Sequence, residues 1–193
     1  MSSHHIIRDN QEPAVLILQL APTDEAFLDQ ILEWSPTVIT TTDYYERVIM
    51  HGIKVDLVVG PPSPNTENQP NQKHDYFNSP LSDNWINDLI NELIRKSYIG
   101  LYIFAPSNLC TQIDTKKALP FQISLIDEQF VWKLSHKPID KWFKAGQKLQ
   151  SATAVIYQEE KILISKNGLF EVPNSGMVSI KASHAFWWAE YLQ

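Results

Sequence analysis

A single cysteine, Cys110, stands among 193 residues, so no disulfide can close within the chain. Its neighbour Leu109 is apolar, which suits an inert packed thiol better than a nucleophile. Positive charge is scarce and scattered. No Lys/Arg cluster longer than Lys116-Lys117 occurs and the net charge is −6, which argues against a phosphate-backbone partner such as nucleic acid. No apolar stretch approaches the ~20 residues that a membrane-spanning helix needs. The opening Met1-Ser2-Ser3-His4-His5 lacks the basic region and apolar run of a secretory signal, so the expectation is a cytoplasmic protein. Internal repeats are absent too. What remains is an ordinary globular composition, 44% hydrophobic with 20% charged residues, sufficient for a packed core without covalent staples.

The first half alternates strand and helix signals. Ala14 to Leu20 is a nearly continuous apolar run that suits a strand covered on both faces. Thr23-Asp24-Glu25 supplies a helix cap and an acidic first turn, followed by Phe27, Leu28, Ile31 and Leu32 at helical spacing. Thr37 to Thr42 is β-branched throughout, Asp43 to His51 forms a short helix stopped by Gly52, and Val55 to Val59 is a third strand. A loop rich in Pro and Asn covers 61 to 73. Ser82 then caps a helix whose apolar face is Trp85, Ile86, Leu89, Ile90, Leu93 and Ile94, and Leu101 to Ala105 is a fourth strand.

From Phe121 the period changes. Phe121 to Ile126 and Phe130 to Leu134 flank a hairpin turn at Asp127-Glu128-Gln129, and Ala152 to Tyr157 with Lys161 to Ser165 flank another at Glu159-Glu160. Met177 to Ala182 and Ala185 to Tyr191 complete the run of strands. The expected fold is therefore α/β, a Rossmann-like parallel-sheet domain over 1–118 followed by an all-β sandwich over 119–193. In such a parallel sheet, ligands bind at the carboxyl ends of the strands, here Thr40 to Asp43, Gly60 to Pro64 and Ala105 to Asn108.

Two stretches carry a resemblance. TTTDYYERVIMHGIKVDLVVG, residues 40 to 60, resembles the opening of the thiamine pyrophosphokinase family, in which a strand ends in Asp-Gly-Ala, a short helix leads to Gly-Ile-x-x-Asp, and the next strand ends in Gly-Asp-x-Asp-Ser. KPIDKWFKAGQKLQ, residues 137 to 150, is similar to the segment by which that family enters its C-terminal β-sandwich. The resemblance implies pyrophosphoryl transfer from ATP to thiamine with Mg²⁺, by a homodimer that holds thiamine between subunits.

Carried over residue by residue, the resemblance is incomplete. Asp43 matches the aspartate of Asp-Gly-Ala, but Tyr44 and Tyr45 replace its small residues. Gly60 matches the glycine of Gly-Asp-x-Asp-Ser, while Pro61 and Ser63 stand where its two aspartates belong. Asp83 matches the aspartate of a later Thr-Asp pair, and the glycine-rich segment with its arginine has no counterpart in FAPSNLCTQID. Asp43 and Asp83 are thus the candidate catalytic acids, with Gly60, Ser63, Trp187 and Trp188 as candidate substrate contacts and no metal site assigned. Mg²⁺ and ATP follow from the resemblance alone. The metal-binding and phosphate-binding apparatus reads as dismantled, which leaves three alternatives: an enzyme using displaced carboxylates, a silent binder of thiamine, a nucleotide or another small molecule, or a dimeric interaction protein.

Structural roles compete at each position. Asp43 suits a helix cap, Asp83 suits the first turn of the following helix, and His51 suits a helix end. His74-Asp75 is a pair without a third ligand nearby. Trp187 and Trp188 point to opposite faces of a strand, so at least one of them belongs to the core.

Overall fold

The computed structural model describes residues 12–21, 25–63, 74–77, 84–116, 119–159, 161–166 and 168–192. The proposed caps Thr23 and Ser82, the candidate acid Asp83 and the loop segment 64–73 lie outside the described residues.

Strands β1 (Ala14–Ile17), β2 (Val38–Thr41), β3 (Leu57–Val59), β4 (Asp75–Phe77), β5 (Gly100–Phe104) and β6 (Gln122–Ile126) form the parallel part of a ten-stranded sheet. Helices α1 (Glu25–Leu32), α2 (Tyr45–Met50) and α3 (Trp85–Arg95) cover it. Side chains of β1 alternate between its two faces. Ala14 and Leu16 join the α3 face with Ile86, Leu89, Ile90 and Leu93, while Val15 and Ile17 join the α1–α2 face with Leu28, Ile31, Tyr45 and Val48. Both faces are covered, which is why the strand reads as a continuous apolar run.

The remaining strands are antiparallel. β7 (Phe130–Ser135), β9 (Lys148–Gln150), β12 (Leu169–Glu171) and β14 (Phe186–Tyr191) extend the same sheet, giving the order β12-β9-β14-β7-β6-β5-β1-β2-β3-β4. β8 (Ile139–Phe143), β10 (Val155–Gln158), β11 (Lys161–Ile162) and β13 (Gly176–Lys181) form a second sheet in the order β11-β10-β13-β8. A third apolar core lies between the sheets, with Phe143, Ile156, Val178 and Ile180 from the smaller and Leu149, Phe170, Phe186 and Trp188 from the larger. The architecture is a mixed α/β fold with one large mixed sheet and one antiparallel sheet.

The large sheet is continuous across residue 118. β6, expected as the first strand of an all-β half, pairs in parallel with β5, and only its hairpin with β7 is antiparallel. Gly100 permits that pairing, because a Cβ there would lie 3.0 Å from the Gln122 carbonyl oxygen.

Candidate functional site

β1 leads to β2 on one side, whereas the chain returns to the other side of β1 as β5. This is a topological switch point, where open α/β sheets leave a crevice at the carboxyl ends. A concavity of about 370 Å³ lies there, lined by Gln19 after β1, Pro106 and Ser107 after β5, and Asp127 and Glu128 after β6, with Trp132 behind them.

Asp127 is committed to the hairpin turn. Its carboxylate accepts the amides of Gln129 (2.9 Å) and Phe130 (2.7 Å) and the indole N–H of Trp132 (2.9 Å). Gln19 Nε2 donates to Glu128 Oε1 at 3.2 Å, closing one edge of the concavity. Nearby Cys110 is buried, and burial first, then the Asp127 charge, push its thiol up to about 12. It is a core thiol, unsuited to nucleophilic work.

The candidates from the resemblance lie one and two strands further along. Asp43 is exposed just beyond β2, and the N-cap of α2 is Tyr44, which makes no side-chain capping bond. Asp43 is therefore not the capping residue. Tyr44 instead accepts the Leu20 amide on its phenol oxygen at 2.9 Å, with the Arg47 guanidinium 5.4 Å from its ring centroid. Tyr45 is fully buried and shares a 3.4 Å hydrogen bond with His74 Nδ1. Burial, then the neighbouring Tyr76, raise the Tyr45 phenol above its ordinary value.

Gly60 closes β3 with φ 118°, a conformation that glycine alone adopts readily, and its amide donates to the Phe77 carbonyl at 3.1 Å. Pro61 and Pro62 are exposed and Ser63 is half-buried. The Thr42 hydroxyl donates to the Pro61 carbonyl at 2.9 Å, so the ends of β2 and β3 are tied together. Asp43, Gly60 and Ser63 therefore share one corner. Their donor set is poor for Mg²⁺, which prefers carboxylates and phosphate oxygens: Asp43 is the single carboxylate among these three, and no group of three His, Cys, Asp or Glu side chains suited to a metal occurs among the described residues. Asp56 is occupied at the opposite end of β3, accepting the Val38 amide at 3.0 Å and pairing with Lys54 at 3.1 Å. His74-Asp75 opens β4 at that same amino-terminal side, since the Asp75 amide donates to the Asp56 carbonyl.

The two tryptophans stand apart from this corner. Five inter-strand steps separate β14 from β2, about 24 Å at the usual spacing. Trp188 is 4% exposed in the inter-sheet core, edge-on to Phe143 at 6.3 Å, with Lys133 Nζ 5.2 Å and Lys141 Nζ 5.8 Å from its ring. Those lysines bind the Glu190 carboxylate at 2.6 and 2.7 Å. Burial pushes that carboxyl up, but the two lysines outweigh it and hold it below its ordinary value. Trp187 faces the other way, half-buried beside Trp132 and Leu134. Within one chain, neither tryptophan shares a site with Asp43.

Sequence reasoning placed Ser107 within the Ala105 to Asn108 strand end but missed Gln19, Glu128 and Trp132 as its neighbours in the concavity. Asp127-Glu128-Gln129 was visible as a turn, but its place at the switch point depends on the parallel pairing of β6, for which the sequence carries no local signal.

Solved structures share this arrangement. A protein from Lactobacillus plantarum superposes with a TM-score of 0.64 at 12% identity, over 95% of this chain and 99% of that one. Thiamine pyrophosphokinase from Bacillus subtilis gives 0.62 at 9% identity, over 94% and 100%. Thiamin pyrophosphokinase from Candida albicans gives 0.58 at 9% identity, over 95% and 92%. No family model matches the sequence, and no curated protein matches it. The chain has the fold seen in thiamine pyrophosphokinases, at low sequence identity.

Proposed function

We propose that the chain is a divergent member of the thiamine pyrophosphokinase family that has kept the fold and a small-molecule cleft while losing most or all of the pyrophosphoryl-transfer chemistry. The carrying observation is the end of β3. Gly60 retains a backbone turn that demands glycine, yet the residues after it are Pro61, Pro62 and Ser63. Phosphoryl transfer depends on positioning and on cations that neutralise developing charge, and those cations need carboxylate ligands. Asp43 and Asp83 are the acids the resemblance assigns to catalysis, and Asp43, the one of the two among the described residues, is by itself too few ligands for Mg²⁺. Gly60 and Ser63 would line the same corner against a substrate. Of the tryptophans, Trp187 is the less buried, so any stacking on a ligand falls to it and requires a second copy of the chain.

This reading is tested by a thermal-shift series with thiamine, thiamine diphosphate, ATP, and ATP with Mg²⁺, because a ligand that binds the native state raises its melting temperature. A shift with thiamine and none specific to ATP–Mg²⁺ supports it, whereas a large ATP–Mg²⁺ shift argues for a competent kinase.

A dimeric interaction protein is the second reading. Trp142, Val155, Ile162 and Met177 of the smaller sheet are all exposed, and Met177 sits directly across from Trp142 in the β13–β8 pair. Apolar area of this kind marks interaction surfaces. Light scattering that gives a monomer at tens of micromolar would remove this second reading.

A further inference from the structure

The turn after β1 spends its amides unusually. Leu18 and Gln19 both donate to the Phe104 carbonyl, at 2.9 and 3.0 Å, which ties β1 to β5 across the switch point. The next amide, Leu20, is answered by the phenol of Tyr44, a side chain from the end of the neighbouring strand. Tyr44 makes no side-chain capping bond to α2. Its ring is packed against Leu20 and the α1–α2 core, and Arg47, exposed one turn further along α2, stands 5.4 Å from the ring centroid. A backbone N–H with a guanidinium nearby is the combination that receives a phosphate-type oxyanion.

We propose that Tyr44 determines what this strand end admits: its phenol oxygen occupies the place of an anion's oxygen on the Leu20 amide, and its ring fills the volume between that amide and Arg47. The inference extends the proposed function by naming the residue that shuts phosphate-type anions out. It also separates two causes that the sequence alone confounds. Loss of the acids after Gly60 removes metal ligands, whereas Tyr44 removes space and a hydrogen-bond donor for the anion itself.

The test uses inorganic pyrophosphate without metal, titrated calorimetrically into the full chain. Tyr44→Ala should bind it at least about tenfold more tightly than the wild type, and Arg47→Gln added to Tyr44→Ala should reverse that gain. Equal binding by Tyr44→Ala and wild type, or a gain that Arg47→Gln leaves intact, overturns the proposal. Should Tyr44→Ala fail to fold, Tyr44→Phe decides, because it keeps the ring and deletes only the hydroxyl. Hydrogen exchange of the Leu20 amide should then accelerate about tenfold or more, and an unchanged rate overturns the proposal. The wild-type response to thiamine in the thermal-shift series is independent of both readouts, so this inference and the reading it extends fail separately.

Discussion

Two corners at the carboxyl ends of one sheet differ in what they offer a ligand. At the ends of β2 and β3 the backbone is demanding, with Gly60 at φ 118° and Thr42 tied to the Pro61 carbonyl, but the described side chains there include a single carboxylate, Asp43. At the ends of β1, β5 and β6 there is a concavity of about 370 Å³ with two carboxylates, yet Asp127 is spent on three protein donors and Glu128 receives Gln19. Among the described residues, the first corner has a demanding backbone with one carboxylate, and the second has two carboxylates already engaged by protein donors. Phosphate chemistry needs both in one place, so the fold by itself does not decide the activity.

The largest expected effect lies in the second corner. Asp127→Ala strands two amides and the Trp132 indole, and should cost about 2 to 4 kcal/mol in denaturant unfolding. A loss below roughly 0.5 kcal/mol would mean that this carboxylate is free for a ligand after all. Next comes Gly60→Ala, where a positive-φ backbone should cost about 1 to 3 kcal/mol. If alanine were tolerated there, the claim of a glycine-demanding turn at the β3 end would fail.

A smaller effect sharpens the electrostatic side. With its thiol pushed up to about 12, Cys110 should resist iodoacetamide at pH 8 in the native state and react only as the chain unfolds. Asp127→Asn keeps one oxygen to accept the Gln129 and Phe130 amides, gives up the Trp132 contact and removes the like charge, so it should lower that pKa and raise the native alkylation rate, while burial still dominates. The smallest effect belongs to Asp43→Asn, an exposed residue off the cap position, with a stability change within about 0.5 kcal/mol.

The inter-sheet core offers a pH contrast to both corners. Glu190 is held below its ordinary value by Lys133 and Lys141, so it contributes stability that is present above its unfolded pKa of about 4.3. That contribution is lost as pH falls through the lower, folded value. Glu190→Gln should flatten this acid limb of the stability curve, and an unchanged limb would remove the ion cluster as its cause.

Most of the element order was legible because the signals are local. The buried runs of β1 and β3 and the apolar spacing of α3 each reflect burial against neighbours that the chain itself dictates. The short strands β4, β9 and β12 were not, since three residues with polar neighbours carry no period and depend on a partner edge. The place of β6 was illegible for the same reason: strands pair in parallel through backbone atoms that look alike in every sequence, and only Gly100 hints at the close approach. The alternation of Trp187 and Trp188 was readable from the two-residue period, whereas the lysines over Trp188 come from β7 and β8, distant in sequence. Asp43 was visible as an acid at a strand end, but its displacement from the cap follows from α2 beginning at Tyr45, a start that the sequence does not mark.

The most direct test of the central claim is a coupled assay of purified protein with thiamine, ATP and Mg²⁺. The account predicts turnover that is undetectable, or at least about a thousandfold below an ordinary enzyme's rate of roughly 10 per second. Turnover near 1 per second that Asp43→Asn abolishes would contradict it, because a single corner with one described carboxylate would then be performing the transfer.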